Sequence, residues 1–477
     1  MKLTDIINEI SPVAVYGNGD VQITSVTNNS RECKEGTLFV AVRGFQTDGH
    51  KYIASAIQNG AVAVICEEYN PDYDAVQIVV KNSRRAEAVA ASVFYHNPSQ
   101  KFRLVGITGT NGKTTVTYLT KHIFEQCGYK VGLIGTNQNM IGDEILETGR
   151  TTPDSIELQG IFAKMADSSV DFCIMEVSSH ALELDRVYGC RYAVGAFTNL
   201  TQDHLDFHKT MDNYAAAKAK LWQMSDVAVI NSDDAYGRQM IQNCGCDVIS
   251  YAVKDKSANL RATELILRSS GIGFELDGLK FKLPIPGEFS VYNALCAIGI
   301  AKAAGIDESK IRDALFSASG VKGRAEVVPT DTDYTVIIDY AHTPDGIENI
   351  LSAVRGFAEG RVVIVFGCGG DRDNTKRPIM GEIAGKMADF CVVTSDNPRT
   401  ENPMKIIEMV EEGVKRSGAE YVVIESRREA IAYAMKNALP GDCIVLAGKG
   451  HETYQILNEG TIHFDEREVV REVLESM

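Results

Sequence analysis

A glycine-rich loop that ends in one lysine and two threonines, Gly106 to Thr115, constrains this chain more than any other part of the sequence. The loop follows the apolar segment Phe102 to Ile107, so the pattern predicts a strand, a loop and the start of a helix. Such a junction directs backbone N–H groups and the positive end of a helix at one point. Lys113 adds a charge for the β- and γ-phosphates, and Thr114 supplies a hydroxyl for Mg²⁺. The loop is therefore predicted to bind a nucleoside triphosphate.

The loop departs from the strict phosphate-loop pattern at one position. Ile107 stands six residues before Lys113, where the pattern has glycine. Gly109 and Gly112 still allow the backbone to approach a phosphate closely. The alternative is an ordinary glycine-rich turn before a helix, but Gly-Lys-Thr-Thr after a buried strand favours the phosphate site.

Length and composition indicate a globular protein of several domains. A chain of 477 residues is too long for one hydrophobic core, and its length suggests about three domains. Its 44% hydrophobic and 23% charged residues are typical of soluble proteins. The formal charge of −16 argues against a general nucleic-acid binder. Because the start lacks a signal-peptide pattern and no apolar run reaches membrane-spanning length, we expect a cytoplasmic protein.

The eleven cysteines are scattered along the chain and include no CxxC pair. They also share no spacing with histidine that would suggest a zinc site. The nearest pair, Cys244 and Cys246, falls in a predicted loop. Reduced thiols in a reducing compartment fit this pattern best.

Alternating apolar segments and helical patterns predict an α/β protein with three domains. Residues 1–98 form the first domain, because the segment His96 to Gln100 breaks the preceding helix. Residues 99–325 form a central phosphate-loop ATPase domain with a mainly parallel sheet. Residues 326–477 form a smaller doubly wound, Rossmann-like domain. The clearest predicted strands are Val21 to Val26, Thr37 to Val42, Ala61 to Cys66, Leu104 to Ile107, Phe172 to Val177, Val194 to Leu200, Val227 to Ile230, Val336 to Asp339, Val362 to Phe366, Phe390 to Ser395, Tyr421 to Glu425 and Cys443 to Ala447.

Polar clusters follow two predicted strands of the central domain. Glu176 to His180 contains a carboxylate, two hydroxyls and an imidazole, and Asn199 to His208 contains two histidines and two aspartates. Strand ends in such a sheet converge on one crevice, so Glu176 is expected to ligate Mg²⁺ beside the phosphate loop. For the second cluster, an exposed helix-capping segment is the alternative. A hydrolase dyad of Ser179 and His180 is disfavoured, because adjacent residues of an extended segment point to opposite faces.

Acidic and basic side chains lie together at turns of the third domain. Turn formation explains the glycine and proline content of these segments. The basic residues Arg372, Arg377, Arg399 and Lys449 among the acids indicate a second substrate that carries carboxylates. The segments are Asp339 to Asp345, Gly367 to Asp373, Asp396 to Thr400 and Gly448 to Glu452, each after a predicted strand, and Lys376 to Pro378.

Together and in this order, these motifs resemble those of the Mur ligases, ATP-dependent enzymes that add amino acids to peptidoglycan precursors. The resemblance covers essentially the whole chain. It implies an N-terminal UDP-binding domain, a central ATP-binding domain and a C-terminal domain for the incoming amino acid. It also implies that ATP phosphorylates the D-Glu carboxylate of UDP-MurNAc-L-Ala-D-Glu, and that an amine then attacks the acyl phosphate.

The segment Asp396 to Arg399 resembles the motif of family members that add meso-diaminopimelate, whereas lysine-adding members generally lack the arginine. A bidentate guanidinium suits the second carboxylate of diaminopimelate. Three alternatives remain: the lysine-adding ligase, a folylpolyglutamate synthetase, and a nucleotide-gated binding switch without ligase turnover. The first domain and this motif disfavour the two rival ligases.

The resemblance further implies roles for individual residues, a requirement for ATP and two Mg²⁺ ions, and a monomer that binds neither nucleic acid nor membrane. The implied catalytic residues are Lys113, Glu176, His204 and Lys218. The implied metal ligands are Thr114, Glu176, His204 and Lys218 as a carbamate; the helical context alone does not distinguish Lys218 from Lys220. The implied ATP-binding residues are Gly109, Thr110, Asn111, Gly112, Lys113, Thr114, Thr115, Asn293, Arg324 and Asp339. The implied UDP-MurNAc-dipeptide contacts are Ser30, Thr151, Thr152, Ser178 and Arg186. The implied diaminopimelate contacts are Arg377, Asp396, Asn397, Arg399, Gly448 and Glu452.

Overall fold

Three mainly parallel sheets with helices packed on them follow one another along the chain in the computed structural model of the protein. The structure describes residues 1–44, 47–146, 149–268 and 271–477. This architecture confirms the predicted α/β class with three domains. Among the described helices, none combines the length and the apolar character needed to cross a membrane.

The N-terminal unit has the strand order β1-β5-β4-β3-β2, in which only β1 runs antiparallel to its neighbour. The predicted strand from Val21 to Val26 is shorter than expected. Val21 and Ile23 instead exchange backbone hydrogen bonds with the first residues of the chain, so β2 begins later. The elements are α1 (Leu3–Ile10), β1 (Ala14–Tyr16), β2 (Ser25–Thr27), β3 (Thr37–Val40), α2 (Ile53–Gln58), β4 (Ala61–Cys66), β5 (Val76–Val79) and α3 (Ser83–Phe94).

The central unit has the strand order β14-β13-β12-β11-β6-β10-β7-β8-β9. Pairing is parallel from β14 to β7, and β8 and β9 add an antiparallel edge that the sequence patterns did not predict. A separate antiparallel sheet of β15, β16 and β17 was also not predicted. The elements are β6 (Arg103–Thr108), α4 (Lys113–Gln126), β7 (Val131–Ile134), β8 (Asn139–Ile141), β9 (Glu144–Leu146), α5 (Ser155–Asp167), β10 (Phe172–Glu176), α6 (Ser179–Glu183), β11 (Tyr192–Phe197), α7 (Leu205–His208), α8 (Met211–Ala219), β12 (Ser225–Asn231), α9 (Ala235–Gln242), β13 (Asp247–Ala252), β14 (Leu260–Arg261), β15 (Thr263–Arg268), β16 (Gly271–Leu276), β17 (Leu279–Leu283), α10 (Glu288–Ala303) and α11 (Glu308–Phe316).

Strand β6 lies inside the central sheet and is buried on both faces. Val105 and Ile107 belong to the core beneath α4 and α10, whereas Leu104 belongs to the core on the opposite face, with α5. This alternation is expected of a parallel strand covered by helices on both sides. Its neighbours are β10 and β11, so the carboxyl ends of three adjacent parallel strands meet at the phosphate loop.

Several predicted elements end earlier than the sequence patterns suggested, and β11 is the one closest to the phosphate loop. Strand β11 stops at Phe197 rather than Leu200, because Thr198 and Asn199 turn to bind the backbone of Asn111 in the phosphate loop. The helical segment that contains Lys218 ends as α8 at Ala219 and continues as a 3₁₀ helix from Lys220 to Met224.

The C-terminal unit has the strand order β18-β19-β23-β20-β21-β22, in which only β18 is antiparallel to its neighbour. The five strands predicted here form this sheet together with β18, which was not predicted, and a hairpin of β24 and β25 lies after it. The elements are β18 (Glu326–Val328), β19 (Thr335–Asp339), α12 (Pro344–Arg355), β20 (Val362–Phe366), α13 (Lys376–Met387), β21 (Phe390–Val393), α14 (Pro403–Ser417), β22 (Tyr421–Val423), α15 (Arg427–Lys436), β23 (Cys443–Ala447), β24 (Tyr454–Leu457), β25 (Gly460–His463) and α16 (Glu466–Ser476).

Candidate active site

The glycine-rich loop connects the end of β6 to the start of α4 and is tightly enclosed at two glycines. Gly109 and Gly112 have φ angles of 148° and 85°. A Cβ atom at Gly109 would lie 1.9 Å from Thr198 Oγ1, and one at Gly112 would lie 2.5 Å from Asn293 Oδ1. Both positions therefore require glycine for conformation and for space.

Two lysine ammonium groups converge on one carbonyl oxygen of this loop. Lys113 Nζ donates to the carbonyl oxygens of Gly109 and Thr110 at 3.0 and 2.8 Å. Lys218 Nζ, which projects from α8, donates to the same Gly109 oxygen at 2.8 Å and lies 4.6 Å from the ring centre of Tyr214. Burial lowers the pKa of Lys218 well below its usual range, and the charge of Lys113 lowers it further. Both lysine side chains are therefore in place at the loop before an anion enters it.

Glu176, the last residue of β10, is buried beside the loop. Its Oε1 and Oε2 accept hydrogen bonds from the backbone N–H and the hydroxyl of Thr136, at 2.9 and 3.0 Å. The hydroxyl of Thr136 lies 3.0 Å from that of Thr151. Thr136 was not predicted as a site residue. The signal was available, because the apolar run Val131 to Ile134 is a further strand that ends just before it.

The residues predicted to contact the muramyl dipeptide pack around the backbone of Glu176. Thr152 Oγ1 donates to the carbonyl oxygen of Glu176 at 2.9 Å and accepts from the N–H of Ser178 at 3.0 Å. Arg186 Nη1 donates to the carbonyl oxygen of Thr152 at 3.1 Å and its Nε lies 2.9 Å from Asp154 Oδ1. Four of the five predicted contacts thus lie beside the phosphate loop.

Ser30, the fifth predicted contact, lies in the N-terminal unit. It begins a 3₁₀ helix, Ser30–Glu32, whose first N–H groups are capped by the side chain of Asn29. The side chain is buried, and its backbone carbonyl accepts a hydrogen bond from Asn59 Nδ2 at 2.9 Å. The structure therefore places this residue in a different unit from Thr151 and Thr152.

A cluster of histidine rings lies on the other side of the loop. His204 has a φ of 54°, its Nε2 lies 3.4 Å from Asp203 Oδ2, and partial burial lowers its pKa. Ser179 lies in helix α6, not in the extended segment assumed from the sequence, and its hydroxyl contacts His208 Nε2 at 2.9 Å. Burial lowers the pKa of His208 to about 4, so this ring is neutral near pH 7. A dyad of Ser179 with His180 is not formed.

A cavity of about 540 Å³ opens from the phosphate loop toward the C-terminal unit. This volume lies within the usual range for small-molecule sites. Arg324 lines the cavity; its Nη2 donates to Thr114 Oγ1 at 3.1 Å and its guanidinium lies 4.6 Å from the Tyr340 ring centre. The predicted ATP-binding residues that line the cavity are Asn111, Gly112, Thr115, Asn293, Arg324 and Asp339.

Two contacts in this cavity join the central and C-terminal units. Asn111 Nδ2, in the phosphate loop, donates to Asp345 Oδ2 in the first turn of α12. Asp339, at the end of β19, accepts hydrogen bonds from the N–H groups of Ala325 and Ala341 at 2.7 and 2.8 Å, and burial raises its pKa. The nucleotide-sized cavity is therefore built from both units.

Four predicted diaminopimelate contacts gather in the C-terminal unit around a buried lysine that was noted from the sequence but given no role. Asn397 Nδ2 donates to Glu452 Oε2 at 2.8 Å, and Asn397 Oδ1 accepts from Lys449 Nζ at 3.1 Å. A Cβ atom at Gly448 would lie 2.5 Å from Asp396 Oδ2, so this position also requires glycine. The loops after β21 and β23 thus form one polar cluster.

The two predicted arginines of this region have different partners. Arg377, buried in α13, donates from Nη1 and Nη2 to the two carboxylate oxygens of Glu401 at 2.9 and 2.8 Å. Arg399 Nη1 donates to the carbonyl oxygen of Gly370 at 2.7 Å. In this conformation both Nη atoms of Arg377 are paired with Glu401. Arg399 is bonded to a backbone carbonyl instead and lies on the same loop as Asn397.

The oxygen donors around the phosphate loop are too few to hold Mg²⁺ by themselves and would need phosphate oxygens as further ligands. Among the described residues there is no group of three or more His, Cys, Asp or Glu side chains arranged to hold a metal ion. Mg²⁺ is commonly held by one or two carboxylates plus substrate phosphates and water. The hydroxyl of Thr114 and the carboxylate of Glu176 are oxygen donors of this kind. The predicted ligands therefore fit a metal that arrives with the nucleotide.

A phosphate loop at the end of a central parallel strand, with buried cations and a carboxylate beside it, defines a nucleotide-binding α/β protein of the phosphate-loop class. Three family models match the chain in order. They are the Mur ligase family, catalytic domain (residues 22–95), the Mur ligase middle domain (residues 107–301) and the Mur ligase, glutamate ligase domain (residues 323–450). The chain belongs to the Mur ligase family.

Full-length relatives support this assignment. A UDP-N-acetylmuramoyl-L-alanyl-D-glutamate--2,6-diaminopimelate ligase from Caldanaerobacter subterraneus subsp. tengcongensis is 51% identical over 480 residues, covering 99% of both chains. A ligase of the same name, numbered 1, from Clostridium acetobutylicum is 49% identical and covers 100% of both chains. A solved structure of an enzyme with this name superposes with a TM-score of 0.72 at 33% identity, covering 98% of both chains.

Gly109→Ala is expected to weaken nucleotide binding, because the new methyl group would collide with Thr198 and displace the loop. Overpacking of this kind should raise the dissociation constant for ADP by about tenfold or more. Titration calorimetry with ADP and Mg²⁺ measures the change. Gly245→Ala is the matched control, since a Cβ atom there has no neighbour within 4 Å. Equal affinities for both variants would contradict a phosphate site at this loop.

Proposed function

We propose that this protein is an ATP-dependent ligase that adds meso-diaminopimelate to UDP-MurNAc-L-Ala-D-Glu in peptidoglycan precursor synthesis. One observation carries the proposal. Glu176 pairs with Ile107 at the start of the phosphate loop, and hydrogen bonds through Thr136 link it to Thr151, a predicted contact of the muramyl dipeptide. A phosphate donor and a carboxylate acceptor would then meet at the end of β10. The names of the full-length relatives support the same reaction.

The reaction needs positive charge between two anions. The D-Glu carboxylate attacks the γ-phosphorus of ATP, the bond to the β-phosphate oxygen breaks, and ADP leaves. The diaminopimelate amine then attacks the acyl phosphate, phosphate leaves, and the amine loses a proton to give the amide. Lys113 would balance the charge on the transferring phosphoryl group, while Thr151 and Thr152 would orient the acceptor.

We propose that two Mg²⁺ ions accompany ATP. Thr114 and Glu176 would hold one ion, and His204 and a carbamylated Lys218 would hold the other. The ions would supply further neutralisation of phosphate charge. All other contacts of ATP are assigned to the loop residues, Asn293, Arg324 and Asp339, which is consistent with the cavity that several of them line.

Lys218 has the environment that carbamylation requires. Its amine attacks CO₂ only in the neutral form; a C–N bond forms, and one proton is released with the carbamate. Burial and the charge of Lys113 favour the neutral amine by lowering the pKa of Lys218. A carbamate would also replace two adjacent cations by a cation and an anion.

The amino-acid site is assigned to the cluster on the C-terminal unit. Diaminopimelate carries two amino-acid heads, so its distal head needs both a cation and acceptors for its ammonium group. Arg399 offers the guanidinium, and Asn397, Asp396 and Glu452 offer acceptors. Gly448 leaves room beside Asp396. Arg377 would bind the substrate directly only after its release from Glu401. While paired with Glu401, it would instead hold in place the loop that also carries Arg399.

We also propose the domain boundaries 1–98, 99–325 and 326–477, and a monomeric enzyme of the cytoplasm. Each boundary falls between sheets. Since the three substrates are assigned to three units, rotation of the last unit would close the site and exclude water from the acyl phosphate. Binding of small molecules accounts for all the assigned residues, without nucleic acid or membrane.

Phosphate release tests the function directly. The purified protein is incubated with ATP, Mg²⁺ and UDP-MurNAc-L-Ala-D-Glu, and either diaminopimelate or lysine is added. We expect sustained release only with diaminopimelate. Equal or greater release with lysine would favour the lysine-adding ligase. A rate of ATP hydrolysis that does not change on addition of the muramyl substrate or the amino acid would favour a nucleotide-gated switch.

Arg399→Ala should raise the KM for diaminopimelate by about tenfold or more, because it removes a charged partner of the distal carboxylate. The KM for ATP should change little. Initial rates at varied concentrations of each substrate measure both constants. Arg416→Ala removes an arginine whose side chain is half exposed on α14 and serves as the control. Equal increases in both KM values would remove Arg399 from the amino-acid site.

Lys218→Ala should lower kcat by about a hundredfold or more if the carbamate holds a metal. Added formate or acetate should restore part of the activity by replacing the lost carboxylate group. Lys220→Ala, on the exposed side of the same segment, should keep its activity. If no short carboxylate restores the Lys218 variant, this lysine acts as an unmodified ammonium group.

A further inference from the structure

Lys449 is fully buried in the loop after β23, within the cluster assigned to diaminopimelate. Its side chain has 0% exposure to solvent. Lysine is almost never buried to this extent unless its charge is paired. The sequence places Lys449 among the basic residues that indicate a carboxylate-bearing substrate, but its burial calls for a more specific role in this cluster.

The ammonium group of Lys449 is held by three side chains from two loops. It donates to Glu452 Oε2 at 3.0 Å and to Asn397 Oδ1 at 3.1 Å, and it lies 3.8 Å from Asp396 Oδ1. Two of these partners are carboxylates and the third is an amide oxygen. Lys449 thus offsets the negative charge of both Asp396 and Glu452 in a buried site.

Lys449 also determines which way the amide of Asn397 faces. Asn397 Oδ1 accepts hydrogen bonds from Lys449 Nζ and from the N–H of Ile456, at 3.1 and 3.0 Å. Its Nδ2 is consequently directed to Glu452 Oε2, at 2.8 Å. An ammonium group can only donate hydrogen bonds, so a reversed amide, with its NH₂ group toward Lys449, would have no acceptor there. The amide orientation and the position of the carboxylate are therefore set together.

In the part of the chain that the structure describes, the network uses only one of the two carboxylate oxygens of Glu452. Glu452 uses Oε2 for both Lys449 and Asn397, and within the described residues no hydrogen bond engages its Oε1. Lys449 itself is enclosed and has no open path to a substrate. An ionised carboxylate with one free oxygen is the group that accepts a substrate ammonium.

We propose that Lys449 is a positioning residue for recognition of the distal amino-acid head of the substrate. It acts through Glu452 and Asn397, whose orientation and charge it maintains, and it does not touch the substrate. This inference rests on the proposed function of the cluster as the diaminopimelate site. Without the ammonium, Asp396 and Glu452 lose an adjacent cation, and Asn397 Oδ1 keeps only the N–H of Ile456 as a donor.

Substitution of Lys449 by methionine tests the inference, because methionine keeps an apolar stem and removes the charge. In Lys449→Met, the KM for diaminopimelate should rise by about tenfold or more, whereas those for ATP and UDP-MurNAc-L-Ala-D-Glu stay within about twofold. A uniform loss in kcat, with all KM values unchanged, would overturn the inference. Lys436→Met, at an exposed position of α15, is the matched control.

A double-mutant cycle separates positioning from a general structural role. If Lys449 acts through Glu452, the variant that combines Lys449→Met with Glu452→Gln should have the same KM for diaminopimelate as Glu452→Gln alone, within about twofold. Independent, multiplying effects of the two substitutions would overturn the inference. The midpoint of thermal unfolding and the affinity for ADP check that each variant is folded. Should Lys449→Met fail to fold, Lys449→Gln supports the same cycle.

The outcomes also separate this inference from the proposed function. A wild-type protein that releases no phosphate in response to diaminopimelate contradicts the function itself. A wild-type protein that responds, together with a Lys449→Met variant whose KM for diaminopimelate is unchanged, contradicts only the role of Lys449.

Discussion

The active site depends on the carbonyl oxygen of Gly109, where the ammonium groups of Lys113 and Lys218 meet. Holding two like charges so close in a partly buried site is unfavourable unless an anion balances them. The loop must therefore be rigid, and the steric enclosure of Gly109 and Gly112 makes it so. Because Lys113 already contacts the loop before a ligand arrives, little reorganisation is needed when negative charge develops there.

In the C-terminal unit, neighbouring loops are held to one another by hydrogen bonds and an ion pair. The backbone N–H of Gly370 donates to the carbonyl oxygen of Asn397, and Arg399 returns a hydrogen bond to the carbonyl oxygen of Gly370. The ion pair of Arg377 and Glu401 joins the same two segments from the helix below. The proposed amino-acid site therefore lies on paired loops, each of which limits the freedom of the other.

The sequence was most informative where local pattern and chemistry coincide. The strand before Gly109 and the position of Glu176 at a strand end could be predicted, because an apolar run and a polar terminus are both visible in the sequence. The contact of Thr136 with Glu176 could not be inferred from the patterns used, since its short strand was not recognised. The ion pair of Arg377 with Glu401 could not be predicted either, because it depends on how two segments that are distant in the sequence pack together.

The connection between the central and C-terminal units passes unusually close to the loop that carries Lys449. A Cβ atom at Gly323 would lie 2.1 Å from the backbone nitrogen of His451 and 2.2 Å from the carbonyl carbon of Gly450. The next residue is Arg324, which reaches the nucleotide cavity. The segment that joins the two units is therefore packed against the loop that carries Lys449, and it continues directly into a residue of the cavity. Any displacement of the backbone at Gly450 and His451 must be accommodated by the backbone at Gly323, because no space separates them.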